Sequence, residues 1–311
     1  MMGKFFILIL LVTLSPFSQA DKILPAPEKI APHSYAWIGP LPGPSFENQG
    51  YRMNLGFIVG TKGIVVIDTG YTEAMAIEML AHIRKISNAP IVVAVNTNSQ
   101  AHRFFGNTVF KKAGAKIIST AKEKQRMAAN LSQHKSAIER ILKLDKNSIK
   151  SPVLPDAILS KPVTIQLGGV NVILKSLGAS HTPASVVAHV VEDKLVYAGD
   201  ILYGERMLSV LPDSHVKQWI ATFNNLKQFG NAIFVPGHGH AGPLKDFEFS
   251  TLSYLQRLHA HMTKSLEDDL EAQDAINSLD QTAYSKLVLF KNLAGRNASW
   301  AFLEAEKAAF E

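Results

Sequence analysis

Apolar and polar positions along this chain follow a strand-then-helix rhythm. Residues 54–60 (NLGFIVG) and 63–68 (GIVVID) are short runs rich in β-branched side chains, parted by Thr61-Lys62. That is the pattern of a hairpin, and it ends at Asp68-Thr69-Gly70. From 72 to 86 the period changes: Ala76, Met79, Leu80 and Ile83 recur at helical intervals, and Thr72 is placed to cap the first turn. Residues 89–95 then read as a strand. The polar segment 96–107 therefore lies on the loop at a strand's C-terminal end, where ligand-bearing loops of α/β sheets collect.

The pattern predicts a helix over about 104–113, a strand at 116–119 and a long polar helix from 121 to about 144. After Pro152 and Pro155 it restarts, with strands at 162–167, 170–174, 185–191 and 194–198, a helix over 215–229 and a strand at 232–235 that runs into Gly237-His238. Two successive β-rich halves, each passing into strand and helix alternation, predict two similar layers packed as a four-layer αββα sandwich. Residues 247–311 read as helical throughout, with Leu252, Leu255, Leu258 and His259 on one face. The expected organisation is a leader at 1–20, one domain over 21–245 and a helical extension over 246–311 packed on it.

The leader expectation rests on Lys4, the apolar stretch 5–14 and the small-residue end at 15–20, the layout of a secretory signal peptide cleaved after Ala20. The apolar stretch is too short to span a bilayer, although an uncleaved anchor is the competing reading. A periplasmic or secreted protein follows, with no membrane span after cleavage. The chain has no cysteine, which excludes disulfides, thiolate metal ligands and a cysteine nucleophile. Its formal charge of +6 is spread over the sequence without aromatic-interleaved basic blocks, the mark of a solvated surface and not of a nucleic-acid site.

Candidate chemistry lies on turns after apolar runs: His181 in Gly178-Ala-Ser-His181-Thr-Pro, Asp200 in Ala198-Gly-Asp200, and His238 with His240 in Val235-Pro-Gly-His238-Gly-His240. The earlier loop reads Asn96-Thr-Asn98-Ser-Gln100-Ala-His102-Arg103-Phe-Phe-Gly106-Asn107. Asp68 fits a carboxylate that orders neighbouring loops through backbone hydrogen bonds. Gly70, Gly106, Gly199 and Gly237 read as turn residues. His82, His134, His189, His259 and His261 fall in regular elements, where packing is the default role. His240 reads as a spare ligand or as an ordinary surface imidazole.

In this order the motifs resemble the metallo-β-lactamase-fold superfamily, across residues 35–245. Phe46-Glu-Asn-Gln-Gly50, Asn54-Leu-Gly-Phe57, Phe105-Gly-Asn107 and Trp219 after Asp213 make the chain most similar to the periplasmic branch of quinoprotein relay-system metallohydrolases. The resemblance implies the αββα fold and a first motif His-x-His-x-Asp-His whose ligands serve two zinc ions. Here Asn98, Gln100, His102 and Arg103 stand at those positions. It implies that His181 completes one site and His238 the other, with Asp200 between them.

Zinc at a hydrolytic site takes about three imidazole, carboxylate or thiolate donors, and neutral amides are poor ligands. One zinc at most is expected, on His102, Asp200 and His238 with His181 close by. Two functions stay open. The first is a mononuclear hydrolase of a small ester, thioester or amide. The second is a catalytically silent accessory protein that uses a cleft lined by Asn98, Gln100, Arg103, Asp68 and His240 to hold an anionic ligand or a protein partner. Whether imidazole at 102 can replace a carboxylate, and whether Arg103 turns inward, decides between them.

Overall fold

The β-branched runs form two sheets in the computed structural model, which describes residues 22–310. The expected leader lies outside those residues. The first sheet runs in chain order: β1 (Glu28–Lys29), β2 (Ser34–Trp37), β3 (Leu55–Val59), β4 (Ile64–Ile67), β5 (Ile91–Val95), β6 (Lys116–Ser119) and β7 (Ala157–Ile158). The second consists of β8 (Val163–Gln166), β9 (Asn171–Ser176), β10 (Val186–Val190), β11 (Leu195–Tyr203), β12 (Ile233–His238) and β13 (Gly242–Pro243), again side by side in chain order. Pairing is antiparallel from β1 to β4 and from β8 to β11. It becomes parallel from β4 to β7 and between β11 and β12.

Parallel neighbours need long crossovers, and helices supply them. α1 (Glu73–Ile86) links β4 to β5; α2 (Ala101–Phe104) and α3 (Asn107–Lys112) link β5 to β6; α4 (Ala121–Ala129) and α5 (Leu131–Ile141) link β6 to β7; α6 (Val216–Asn225) links β11 to β12. Past β13 come α7 (Tyr254–Glu267), α8 (Ala272–Ser278) and α9 (Phe290–Ala309). Three apolar layers hold this stack together. Ile58, Val65, Val172, Val186 and Ala188 fill the space between the sheets. Phe57, Val66, Met75, Met79 and Phe110 pack the first sheet on its helices. Val187, Val196, Trp219, Phe223, Leu255, Leu258 and Phe302 do the same for the second. Adjacent residues such as Phe57 and Ile58 serve opposite layers because strand side chains alternate faces. The result is the four-layer sandwich with a helical C-terminal region.

Helix boundaries differ from the sequence expectation in three places. The helix expected at 104–113 is two short ones, 101–104 and 107–112, parted where Gly106 leaves helical geometry at φ −85°, ψ 2°; a Cβ there would stand 1.9 Å from the Thr69 carbonyl oxygen, so only glycine fits. The helix expected at 121–144 breaks at Asn130, which leaves helical geometry at φ −98°, ψ 6°, and the second piece stops at Ile141. The tail is interrupted, not continuous: Leu279 is extended and Leu289 is left-handed at φ 67°. Leu252, Leu255 and Leu258 are buried as the pattern requires, and His259 is half-buried. Among the described residues no helix is long and apolar enough to cross a membrane.

One amide ties the two sheets together where their functional loops emerge. Buried Asn54, the residue before β3, accepts from Gly39 N at 2.9 Å and donates to the carbonyls of Pro236 (2.9 Å) and Gly239 (2.7 Å), bracketing His238. Asn54→Ala leaves those buried groups without partners. A loss of about 2–4 kcal/mol in unfolding free energy is expected by urea titration.

Candidate metal centre

Each functional loop is fixed by its own hydrogen bonds. In the 96–107 loop, Asn96 and Asn107 exchange side-chain amide bonds (2.8 and 2.9 Å), and Asn96 Nδ2 also donates to the Arg103 carbonyl at 2.9 Å. This clamp turns α2 inward, so that His102 and Arg103 are buried. Asp68, left-handed at φ 57°, accepts from the Thr97 backbone and hydroxyl at 2.7–3.0 Å. The His181 loop is held by Ser214 Oγ, which donates to the His181 carbonyl at 2.9 Å, and by Glu123 Oε1, which accepts from Ala184 N at 2.8 Å.

Arg103 lies at the bottom of the site, and all five of its N–H donors are engaged. Nε and Nη2 form a fork on Asp200 (3.1 Å to Oδ2, 2.5 Å to Oδ1), Nη1 reaches Asp68 Oδ2 (3.1 Å) and the Asn54 carbonyl (2.8 Å), and Nη2 also reaches the Gly237 carbonyl (3.3 Å). Asn98 Nδ2 adds a bond to Asp200 Oδ2 at 2.7 Å. Gly237 serves close approach and not a turn: a Cβ there would sit 2.1 Å from Asp200 Oδ1. Burial works against a charged Asp200, but the Arg103 guanidinium and the imidazoles of His102 and His238 outweigh it and hold the carboxylate well below its usual range. Burial pushes Asp68 up to about 6 against the pull of Arg103 and Thr97.

Above this layer each of the two imidazoles meets a different oxygen of Asp200. His102 Nε2 is 3.5 Å from Oδ2 and His238 Nε2 is 3.4 Å from Oδ1. Tetrahedral zinc with bonds of roughly 2.0–2.1 Å separates neighbouring donors by about 3.4 Å. The three donor atoms lie within 4.8 Å of one another, and all three residues are buried. Burial, reinforced by nearby arginines, keeps both rings neutral, as metal ligation requires. Two imidazoles and a carboxylate therefore fit one ion in donor type, and their atoms lie close enough to share it.

The tautomers, assigned from the hydrogen-bond network, suit ligation at His238 and oppose it at His102. His238 Nδ1 has the Arg52 carbonyl at 2.6 Å and Arg206 Nη1 at 3.0 Å; the shorter contact, to an oxygen that can only accept, makes Nδ1 the donor, so the Nε2 lone pair faces a carboxylate oxygen, an arrangement that a cation relieves. At His102, Arg52 Nη2 donates to Nδ1 at 3.1 Å, which leaves the neutral ring's proton on Nε2. Ligation through that atom requires the proton to move to Nδ1 and Arg52 to withdraw. His181 donates from Nδ1 to the Ser209 carbonyl at 2.8 Å, leaving a buried Nε2 lone pair with no partner. Burial lowers its pKa to about 4.

A cavity of about 300 Å³ opens onto these rings. Its wall includes Gln100, His102, His181 and His238. Of the residues expected to line a cleft, Gln100 is in this wall, whereas Asn98, Arg103 and Asp68 are buried beneath it with their polar groups engaged. Arg103 does turn inward, but with every donor satisfied it is not free to bind an anion. His240 is exposed, pairs with Glu205 at 2.7 Å and borders a different cavity. His181 shares the wall but falls outside the group of donors within 4.8 Å. Sequence reasoning missed Arg52, Tyr203, Arg206, Ser209 and Arg296, which also line the wall.

The family model described as the metallo-beta-lactamase superfamily matches residues 53–238, and the chain belongs to that superfamily. It is 26% identical over 242 residues to the metallo-beta-lactamase IND-1 of Chryseobacterium indologenes, covering 76% of this chain and 90% of that protein. It is 24% identical over 198 residues to a metallo-beta-lactamase type 2 of Elizabethkingia meningoseptica, covering 62% and 72%. Among solved structures, a metallo-beta-lactamase from Pontibacter korlensis matches with a TM-score of 0.60 at 21% identity, over 74% of this chain and 98% of that one. TMB-1 matches at 0.56 and 15%, over 74% and 96%. These structural likenesses show the shared fold.

Removing Arg103 leaves two buried carboxylates with one counter-charge fewer. Arg103→Met is expected to lose about 3–5 kcal/mol of stability in urea unfolding, with or without added zinc.

Proposed function

We propose that this chain is a hydrolase holding at most one zinc ion, on His102, Asp200 and His238, and acting on a small ester, thioester or amide. The observation that carries this reading is the convergence of two neutral imidazoles and one ionised carboxylate, with a donor atom of each within 4.8 Å of the others. Asn98 and Gln100 offer amides where a second ion would need imidazoles, and Asn98 is already bonded to Asp200. A bound zinc supplies Lewis-acid polarisation and lowers the pKa of its water to near 7.

The remaining roles belong to the protein. His181 presents an unshared Nε2 lone pair to the cavity, able to accept a hydrogen bond from water or substrate. Tyr203 stacks on the His238 ring, centroids 5.1 Å apart, and fixes its plane. The expected leader places the protein in the periplasm or outside the cell, and kinship with the quinoprotein relay-system branch is part of the same reading.

A second reading, a silent binding protein, is favoured by one observation: Arg103 already neutralises both oxygens of Asp200 without any metal. Metal content decides between them. Purified protein equilibrated with zinc and desalted is expected to retain about one equivalent by elemental analysis, and His238→Ala to retain almost none. Less than about a tenth of an equivalent in the wild-type protein sinks the zinc reading and leaves the binding protein. A panel of ester, thioester and β-lactam substrates then tests turnover; the lactam is included because the relatives bear that name.

The His102 tautomer gives an independent check. Arg52→Met frees Nδ1 to carry the proton, so its zinc affinity in a chelator-competition assay is expected to rise about tenfold. An unchanged affinity would show that His102 is not a ligand.

A further inference from the structure

The cavity beside the candidate metal centre is walled on one side by residues outside the family-matched segment 53–238. Leu289, Leu293 and Arg296 come from the start of α9. Their placement follows from the backbone. Val288 bridges Arg206 in parallel register, with Met207 N donating to the Val288 carbonyl at 2.9 Å and Val288 N to the Glu205 carbonyl at 3.1 Å. Leu289 then adopts the left-handed conformation, uncommon for a bulky residue, and turns the chain into α9, whose first turns line the cavity. The stretch that presents Arg206 is thus stitched to the stretch that presents Leu289, Leu293 and Arg296.

Charge in this chamber is unbalanced. Arg52, Arg206 and Arg296 are in the wall, and no acidic side chain is among its lining residues. In the layer beneath, Asp68 and Asp200 are both engaged by Arg103. Four guanidiniums thus face two carboxylates across the wall and the layer under it. Arg206 is 93% buried, its exposure being 7%, and its Nε has no hydrogen-bond partner; Nη1 lies 3.0 Å from His238 Nδ1. An unpaired N–H on a buried cation is costly, and the natural partner for it is an oxyanion, which a guanidinium edge grips in its own plane. Arg296 is exposed, and its Nη2 donates to Ser209 Oγ at 2.6 Å, a neutral partner. Leu211, Leu289 and Leu293 supply an apolar surface next to these cations.

We propose that this chamber binds a small organic oxyanion, a carboxylate or a phosphate monoester, with its charged end on Arg206 and Arg296 and its apolar body against Leu289 and Leu293. The cavity volume suits a ligand at the small end of the usual range. The proposal rests on reading this cavity as the substrate chamber, and it names the substrate class: one bearing an anionic group beside the scissile bond. Anion binding itself needs no metal, so the two readings are separable.

The test uses the full-length protein stripped of metal by chelator and titrated calorimetrically with hexanoate, hexyl phosphate and hexanamide. Saturable 1:1 binding of at least one anion is expected, with hexanamide at least about tenfold weaker. Arg206→Met and Arg296→Met are each expected to weaken the anion about tenfold or more. Tighter binding of hexanoate or of hexyl phosphate identifies the anionic group. Hexanamide binding as well as the anions, or unchanged affinity in Arg296→Met, overturns the proposal. Arg296 is exposed on its outer side, so that variant remains informative if Arg206→Met does not fold. Loss of zinc binding with anion binding intact would remove the hydrolase reading alone; zinc-dependent turnover without anion binding in the stripped protein would remove this proposal alone.

Discussion

The fork between Arg103 and Asp200 is the contact on which the rest of the site depends. A guanidinium brings a full charge and five donors, and burying it is tolerable only if all are met. Here they are met by two carboxylates and two carbonyls drawn from β3, the β4 end, the β11 interior and the β12 end. One side chain on the 96–107 loop thereby pins both sheets at the edge where the functional loops emerge. Gly237 is a consequence of that pinning, since any side chain there would displace the ion pair. Asp200 is in turn held ionised and oriented, so that His102 and His238 each meet one of its oxygens.

Three arginines around the same centre have separate physical effects because their partners differ. Arg103 is saturated and acts as framework. Arg52 meets Nδ1 of His102 and so sets which ring nitrogen carries the proton. Arg206 keeps an unmatched N–H in a wall without acids. Equal formal charge therefore gives a structural tie, a tautomer lock and an open anion contact, and counting charges alone would merge the three.

Much of the fold was legible in the sequence because strands and helices have different hydrophobic periods. The 54–68 hairpin, the Thr72 cap and the two β-rich halves follow from that difference. The break at Asn130 was not legible, since the polar pattern continues through it and its geometry is ordinary for many residues. Gly106 and Gly237 resembled turn glycines, but their reason is tertiary: a carbonyl in one case and an ion pair in the other. Asp200 and His238 could be named from the apolar runs before them, although Asp200 lies inside β11 and His238 ends β12 where turns were expected, and His102 could be named only from the motif order of the resemblance. Arg52, Arg206 and Arg296 could not, being more than 240 residues apart at the extremes and joined only by the packing of α9 against the β11 end.

The chemistry of the centre is a contest between cations for one carboxylate. Arg103 occupies one edge of Asp200 through both oxygens, and the His102 proton points at Oδ2 from another direction. A metal ion would need lone pairs that these contacts leave free and would enter a chamber already in positive excess. An anionic substrate changes that balance, because its charge offsets the arginines of the wall and makes a second cation beside Asp200 less costly by Coulomb's law in a buried site. Thermodynamic linkage makes the effect reciprocal: by whatever factor the anion raises the affinity for the metal, the metal raises the affinity for the anion. Under the proposed reading, the arginine wall that disfavours an ion in the empty site favours it once an anion is held on Arg206, so metal and substrate would bind cooperatively and not independently.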